Sequence, residues 1–234
     1  MKVRAVPTPL SPVLSNVYLH YVLDIWFQRR VRRQCRGEAY LFRFADDFVA
    51  CFQYQADAES FLESLGHRME AFHLELAEEK TQRLEFGRYA RANAYRRGEK
   101  PKDFDFLGMT FFCGKTRHGA FKVKRKTSRK KLRQSLARFT DWIRRCRGLF
   151  PTGDLLRRAK ARIQGHLNYY GITDNSESCK LYAHLTRRVL FKWLNRRSQR
   201  KSYTWEGFQQ AMRHVGWPKV RVRVNLNPFA RLNG

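Results

Sequence analysis

The chain has 234 residues, of which 43% are hydrophobic and 14% aromatic, so it can bury a substantial core. Its 48 Lys and Arg residues outnumber its 20 Asp and Glu residues and give a formal net charge of +28. Because such an excess repels itself in a compact chain unless a polyanion neutralises it, the composition points to a nucleic-acid partner and leaves an anionic membrane surface as a weaker alternative.

The cysteines and the hydropathy exclude two further classes. Five Cys residues lie at irregular spacing without a Cys-x-x-Cys pair, which argues against a disulfide framework. The opening MKVRAVPTPLSP has prolines where a signal peptide needs an apolar run, and no stretch approaches the about 18 apolar residues of a membrane span. We therefore expect a cytoplasmic protein with no membrane partner.

The first predicted element is a helix in residues 11–33. Ser11 can cap its first turn, and Pro12 suits the first helical position. Apolar residues then recur at helical spacing, and they are Leu14, Val17, Tyr21 and Ile25. This pattern predicts a helix of about five turns.

Residues 39–54 are predicted to form two strands joined by a turn at Ala45-Asp46-Asp47, because β-branched and aromatic residues flank these three on both sides. Asp is common in hairpin turns since it tolerates unusual backbone geometry, so the pair could serve the turn alone. Alternatively, a tight hairpin at the rim of a sheet can present a carboxylate to Mg²⁺, which prefers hard oxygen ligands. Arg43 is the only counter-charge close by in the sequence.

The following segment mixes helix and strand. A second helix is predicted from Asp57, a short strand at 82–86, an exposed basic loop at 88–102 and strand structure at 103–113. The order helix, hairpin, helix, strand, strand predicts an α+β fold, with an antiparallel sheet in a mixed unit that extends to about residue 115.

After Gly119 the chain becomes basic and helical. Residues 122–147 contain twelve Lys and Arg residues and one acid, yet apolar residues recur at helical spacing. The pattern repeats in three further segments, so a small helical bundle is predicted for residues 127–216. Val and Arg alternate from Val220 to Val224, which is compatible with an edge strand or with an exposed basic tail.

Four motifs occur in a characteristic order: FRFADDF, then LELAEEKT, then FDFLGMTFF, then the basic helical region. In this order they resemble group II intron reverse transcriptases with their maturase region, over about residues 11–217. Phe44 replaces the tyrosine that usually precedes Ala-Asp-Asp. The resemblance implies a partial polymerase palm in residues 1–120, followed in residues 121–234 by an α-helical thumb/maturase bundle that binds RNA and ends in a basic tail.

The resemblance also implies a role for individual residues. Asp46 would be a metal-binding carboxylate of a Mg²⁺ site, and Asp47 its less critical neighbour. Lys80 would lie near the leaving pyrophosphate, where an ammonium can neutralise charge or donate a proton. The segment Phe106, Leu107 and Gly108 matches the turn that steadies the primer end.

The basic region would bind structured RNA, because phosphate contacts by Lys and Arg dominate such affinity. The implied partners are group II intron RNA, an RNA–DNA primer-template and a dNTP substrate. The candidate RNA-binding residues are Lys124, Arg125, Lys126, Arg129, Lys130, Lys131 and Arg133.

The start of the chain departs from the family pattern in two ways. Only 45 residues precede Asp46, so we expect the fingers and the strand that carries another metal-binding Asp in these polymerases to be missing. In addition, residues 5–10 (AVPTPL) stand where these proteins have a Pro-Gln-Gly-Gly stretch. Asp24 fits that role only superficially, since it falls within the predicted helix. With an incomplete two-metal site, we expect this truncated chain alone to be a poor or inactive polymerase.

Two functions therefore stay open at the level of sequence. In the first, the chain belongs to an RNA-directed DNA polymerase that assists intron splicing and mobility, either as a fragment or with a separate chain that supplies the fingers. In the second, it is a non-catalytic RNA-binding module related to maturases, or a decayed relic of one.

Overall fold

The computed structural model describes residues 11–77, 79, 81–197 and 203–226, with only the backbone described at residues 11 and 12. The chain divides into two compact units, Met1–Leu84 and Glu85–Gly234. Helices and small antiparallel sheets occur in both, which confirms the predicted α+β class. Among the described residues, no helix is both long and apolar enough to cross a membrane.

The first unit begins with the predicted helix, but its middle is wound more widely than expected. Helix α1 (Ser11–Leu19) continues into two π-helical stretches, His20–Ile25 and Phe27–Val31, and ends as α2 (Arg32–Gln34). Because i→i+5 bonding puts more residues in each turn, the inward face changes along the helix. The buried residues are Val22, Leu23, Phe27 and Val31, whereas Leu14, Val17 and Tyr21 are exposed.

The predicted hairpin follows this helix. Strands β1 (Ala39–Phe44) and β2 (Asp47–Phe52) pair antiparallel in a register that runs from Ala39 opposite Phe52 to Phe44 opposite Asp47. One face of the hairpin packs on the long helix and on helix α3 (Gln55–Ala71), which supplies the buried residues Phe61, Leu65 and Met69. The outer face carries Tyr40, Phe42 and Phe44, all of them exposed.

Residues 82–86, where a strand was predicted, are irregular and include the boundary between the two units. The side chain of Arg83 donates a hydrogen bond to Glu59. The carboxylate of Glu85 accepts hydrogen bonds from Asn93 and Arg97. The predicted exposed loop at 88–102 contains helix α4 (Ala90–Arg96). Ala90 and Ala94, four residues apart on one face of this helix, are buried. Their burial stabilises a helix that the basic composition of the segment does not indicate.

The second sheet has three antiparallel strands in the order β3 (Phe104–Phe106), β4 (Met109–Lys115) and β5 (Phe121–Thr127). The strand predicted at 103–113 is thus a hairpin, with its turn at Leu107-Gly108. Strand β5 was not predicted, because its cations were assigned to the basic helical region that follows. Its apolar residues alternate with period two, and its whole length pairs with β4.

The four helices predicted after residue 127 are confirmed. They are α5 (Arg129–Cys146), α6 (Thr152–Tyr170), α7 (Ser176–Leu194) and α8 (Trp205–His214). Their apolar faces form one core, in which Ile143, Leu155, Ile163 and Leu190 are fully buried. Val224 forms a single parallel bridge to Ile172 rather than an edge strand.

The compact units divide at residue 84, whereas the sequence analysis placed a domain boundary after residue 120. Strands β3 to β5 account for the difference, because they pack with the helical bundle. The contact is a buried one: Asn175 at the start of α7 accepts hydrogen bonds from the backbone and hydroxyl of Thr127 at the end of β5.

Candidate active site and nucleic-acid interface

The two aspartates lie at the tip of the first hairpin, in a turn that strains the backbone. Ala45 has a φ of 54°, and Asp46 has no positive φ, which is the pattern of a type II′ turn. Glycine is the usual residue at the first position of such a turn. Asp46 and Asp47 are both exposed, and within the described part of the chain neither carboxylate has a hydrogen-bond or ion-pair partner.

Arg43, the expected counter-charge, is paired with another acid. Its Nε and Nη2 donate to the two oxygens of Asp24 at 2.7 and 2.6 Å. Its Nη1 donates to the carbonyl oxygen of Ala45 at 2.9 Å and to Oδ1 of Asn16 at 3.0 Å. The guanidinium of Arg43 therefore ties the turn to the long helix, and its hydrogen bonds hold the pKa of Asp24 below its usual range.

A second contact fixes the base of the hairpin. The buried carboxylate of Asp57, in the first turn of α3, accepts hydrogen bonds from the backbone N–H groups of Arg36 and Gly37 at 3.0 and 3.3 Å. A Cβ at Gly37 would lie 2.6 Å from Oε1 of Gln53 and 2.7 Å from the Tyr54 ring, so a larger residue there would have to displace these side chains. The strands that present Asp46 are thus held at both ends.

The two acids of the turn have the chemistry of Mg²⁺ ligands. Mg²⁺ is usually bound by one or two protein carboxylates together with waters and substrate phosphates, and Asp46 and Asp47 can supply that contribution. No group of three or more His, Cys, Asp or Glu side chains that could hold a metal occurs in the described residues. Asp24 is engaged by Arg43 and by His20 at 3.1 Å. Lys80 lies outside the described residues.

The turn at Phe106-Leu107-Gly108 is held by packing rather than by charge. Leu107 and Gly108 both have positive φ, 51° and 77°, as in a type I′ hairpin turn. The hydroxyl of Tyr169 donates to the Leu107 carbonyl at 3.2 Å, and the N–H of Ser128 donates to the Gly108 carbonyl at 3.0 Å. A Cβ at Gly108 would lie 2.9 Å from the hydroxyl of Tyr170, so contacts within the protein already require glycine at this position.

A buried polar network supports this second turn. Asn175 is fully buried, and its Nδ2 donates to the carbonyl of Tyr170 at 2.8 Å while its Oδ1 accepts from the N–H of Thr127 at 2.7 Å. Next to it, the ring of His166 stacks on Tyr182 with centroids 3.6 Å apart. Burial lowers the pKa of His166 to about 4.

The predicted basic run is divided between a strand and a helix. Lys124 and Lys126 lie on one face of β5, with Lys126 5.0 Å from the centroid of the Phe112 ring. Arg125 lies on the opposite face, where its Nε is buried without a hydrogen-bond partner among the described residues. The sequence predicted that these three residues share the polar face of a helix. They lie instead on the two faces of a strand.

The remaining cations open helix α5. Arg129, Lys130, Lys131 and Arg133 are exposed, and the first turn of α5 has no acidic residue. Ser128 caps the helix by accepting from the N–H of Lys131 at 3.3 Å. Cations at a helix N-terminus add to the positive end of the macrodipole, so this surface has an uncompensated positive potential.

The sequence analysis missed two sets of residues. The first is Asp24 with Arg43, whose contact depends on a helix and a strand that meet only in the fold. The second is a group of Arg residues that lie over indole rings, such as Arg147 at 4.7 Å from the Trp193 ring and Arg162 at 4.5 Å from the Trp142 ring. Spacing along the chain gives no signal for either set.

Comparison with known protein families gives two matches in the same order as the sites. Residues 8–111 match the model for reverse transcriptase (RNA-dependent DNA polymerase), and residues 129–211 match the group II intron, maturase-specific domain. The chain belongs to the group II intron reverse transcriptase/maturase family. No curated protein matches this reverse transcriptase/maturase chain.

The family matches cover most of the candidate residues. The reverse transcriptase match includes the Asp46 hairpin and the turn at Leu107-Gly108, and the maturase match begins at Arg129, the first residue of α5. Lys124, Arg125 and Lys126 lie between the two matches. By family, the chain is an RNA-directed DNA polymerase, and reverse transcriptases use divalent metal ions.

Proposed function

We propose that this chain binds group II intron RNA and contributes the metal-binding hairpin for RNA-directed DNA synthesis. The observation that carries the proposal is the exposed pair of carboxylates at the tip of a fixed hairpin, inside the part of the chain that matches reverse transcriptases. In this proposal, Asp46 is the principal ligand of Mg²⁺ and Asp47 supports it by its charge.

The metal would supply the charge stabilisation that nucleotidyl transfer requires, at the oxygens of the dNTP phosphates and of the primer. The residues of the chain orient that site. Arg43 and Asp24 hold the turn, and Asp57 holds the base of the strands. Lys80 is proposed to act on the leaving pyrophosphate, and the turn at Phe106-Leu107-Gly108 to support the primer end.

Two carboxylates on one turn supply only part of a two-metal site. We therefore propose that polymerisation by this chain alone is slow, and that a partner chain with a further carboxylate raises it. The alternative function is RNA binding without DNA synthesis. The exposed cations at the start of α5 favour RNA binding under both proposals. The proposed domains are a partial palm in residues 1–120 and a thumb/maturase domain in residues 121–234. The proposed location of the protein is the cytoplasm.

The test compares two assays on the same variants. Primer extension on an RNA template with Mg²⁺ is measured for the wild-type chain and Asp46→Ala, and binding to structured RNA is measured for both at several salt concentrations. We expect Asp46→Ala to lower extension at least about 100-fold, because it removes the metal ligand, and to leave RNA binding unchanged. RNA binding without any extension by the wild-type chain would support the non-catalytic alternative.

A second set of variants tests the RNA surface. Neutralising Lys130, Lys131 and Arg133 together should reduce the slope of log affinity against log salt by about 2–3, as expected for three lost phosphate contacts. The matched control neutralises Arg144 and Arg145 in the last turn of the same helix, and its effect should be smaller. Equal effects of the two sets would contradict the assignment of the RNA surface to the start of α5.

A further inference from the structure

The pair of Asp24 and Arg43 lies directly beside the turn that carries Asp46. Arg43 is on the inner face of β1, next to Leu41 and opposite Phe48 in the register, and its side chain is 13% exposed. Asp24 belongs to the first π-helical stretch of the long helix. The contact therefore joins the hairpin that carries Asp46 to the long helix that packs on it.

Arg43 has a second possible partner close at hand. Its Nη1 already bonds the carbonyl of Ala45, which is joined to Asp46 by a single peptide bond. The carboxylate of Asp46 has no partner among the described residues. Asp47 is on the other face of the hairpin with Phe44, so it is less accessible to Arg43 than Asp46 is.

Pairing of Arg43 with Asp46 would oppose metal binding. A guanidinium occupies both oxygens of a carboxylate when it binds through two parallel N–H groups, and these are the atoms that a divalent cation needs. Two contacts to Asp24, at 2.7 and 2.6 Å, direct the guanidinium to Asp24 instead. Its remaining nitrogen, Nη1, donates to two neutral oxygens, the Ala45 carbonyl and Oδ1 of Asn16, and neither is a carboxylate that a metal needs.

We propose that Asp24 is a positioning residue: it holds Arg43 on the turn carbonyl and away from Asp46, so that the Asp46 carboxylate stays open to a divalent metal. This inference rests on the metal role proposed for Asp46. It assigns to Asp24 a function that is neither metal ligation nor surface charge. It also explains why the strained Ala45 conformation is retained, since Arg43 holds its carbonyl in place.

The first test is independent of metal and of activity. Amide hydrogen exchange is measured in the whole chain for the wild type, Asp24→Asn and Arg43→Gln. We expect exchange at residues 45–48 to be about tenfold faster in both variants, because the turn loses its charged clamp, with the buried Val22, Leu23, Phe27 and Val31 unchanged. Glu59→Gln, which removes an exposed ion pair with Arg83 in the same unit, is the control and should not affect the turn.

The second test is a double-mutant cycle on Mn²⁺ affinity, which is measured from the paramagnetic resonance signal of free Mn²⁺. The variant Asp46→Ala identifies the part of the binding that depends on Asp46. Asp24→Asn should weaken this part by about fivefold, the upper range for an exposed ion pair that forms between Arg43 and Asp46. In the Arg43→Gln background, the same Asp24→Asn change should have no effect, because no guanidinium remains to bind Asp46.

The outcomes separate this inference from the proposal on which it rests. Equal weakening by Asp24→Asn in both backgrounds would overturn it, since Asp24 would then act through its own charge or through folding. Unchanged exchange at residues 45–48 would show that Arg43 does not hold the turn. Absence of Asp46-dependent Mn²⁺ binding in the wild type would overturn the metal role of Asp46, and with it the purpose assigned to Asp24, while the exchange data would still decide the clamp.

Discussion

Two hairpin turns of this molecule, at Ala45-Asp46 and Leu107-Gly108, are strained in the same way but are held by different interactions. Ala45 and Leu107 are non-glycine residues at positive φ, 54° and 51°, at the first position of a two-residue turn. Charge holds the first turn, through Arg43 and Asp24. Uncharged contacts hold the second: Tyr169 and the N–H of Ser128 donate to its carbonyl oxygens, and Tyr170 packs against Gly108.

The difference follows from what each turn presents. A turn that leaves two carboxylates open to solvent can be fixed from one side only, and a charged clamp of modest stability does this. A turn that carries no charged side chain can be held by neutral hydrogen bonds and by packing, as the second turn is by Ser128, Tyr169 and Tyr170. The largest effects are therefore expected in the second turn and its supports.

Asn175→Ala should have the largest effect. It leaves the N–H and the hydroxyl of Thr127 without their partner, which costs about 3–4 kcal/mol of unfolding free energy, whereas the carbonyl of Tyr170 keeps the N–H of Ile172 as a donor. Denaturant unfolding followed by tryptophan fluorescence measures it, because four of the five tryptophans lie after residue 84. Asn168→Ala, on the exposed side of α6, is the control and should cost less than about 0.5 kcal/mol.

Acid should weaken the second unit next. The pKa of His166 is lowered to about 4 in the folded protein, whereas an unfolded His titrates near pH 6.5. The unfolded state therefore takes up the proton first, and stability is full above pH 6.5 and falls by about 2–3 kcal/mol as the pH approaches 4. Unfolding curves at pH 7 and pH 4.5 measure this loss.

The variant His166→Phe serves as the control for that prediction. It keeps a ring between Tyr170 and Tyr182 but cannot titrate, so most of the loss between pH 7 and 4.5 should disappear. The clamp of the first turn should survive this pH range, because the pKa of Asp24 is lowered and its stabilisation is lost only below the ordinary range of an Asp. Equal acid sensitivity of wild type and His166→Phe would contradict the account.

Gly108→Ala comes third. The positive φ costs a side chain about 1–2 kcal/mol, and the new Cβ would lie 2.9 Å from the hydroxyl of Tyr170, so a total of about 2–3 kcal/mol is expected. Gly98 also has a positive φ, 70°, but open space where a Cβ would be. Gly98→Ala therefore isolates the backbone cost, and thermal unfolding of the two variants should show the larger loss for Gly108→Ala.

Ala45→Gly should have the smallest effect. Glycine relieves the strain of a positive φ but loses more conformational entropy on folding, so the two contributions nearly cancel and the change stays within about 1 kcal/mol. Unfolding followed at Trp26, the tryptophan of the first unit, measures it. A loss as large as that of Gly108→Ala would show that the first turn is packed like the second.

Local patterns predicted the elements whose residues repeat at one period. The hairpin around Asp46 and the helices α5 to α8 were predicted because strand and helix periodicity is strong in each. The prediction failed where one local sequence pattern was compatible with two kinds of secondary structure. The cations in residues 122–126 belong to a strand, in which Phe121 and Val123 recur with period two, and Ala90 and Ala94 are buried in a short helix within a basic segment.

The candidate site could be predicted from the sequence only in part. Asp46, Asp47 and the segment Phe106-Leu107-Gly108 are candidates because of motifs that occur in a fixed order. The roles of Asp24 and Arg43 required the fold, because π-helical winding decides which helix residue faces β1. Similarly, the close approach of Tyr170 to Gly108 joins residues 62 positions apart, and no pattern in either segment indicates it.

The central claim is that the tip of the first hairpin binds the divalent metal. Paramagnetic broadening of amide resonances in the whole chain tests it, with Mn²⁺ added well below the protein concentration. The account predicts that residues 45–48 broaden first and that Asp46→Ala removes this selectivity. Broadening that begins at other exposed acids, such as Glu59 or Glu85, and leaves residues 45–48 unchanged would contradict it.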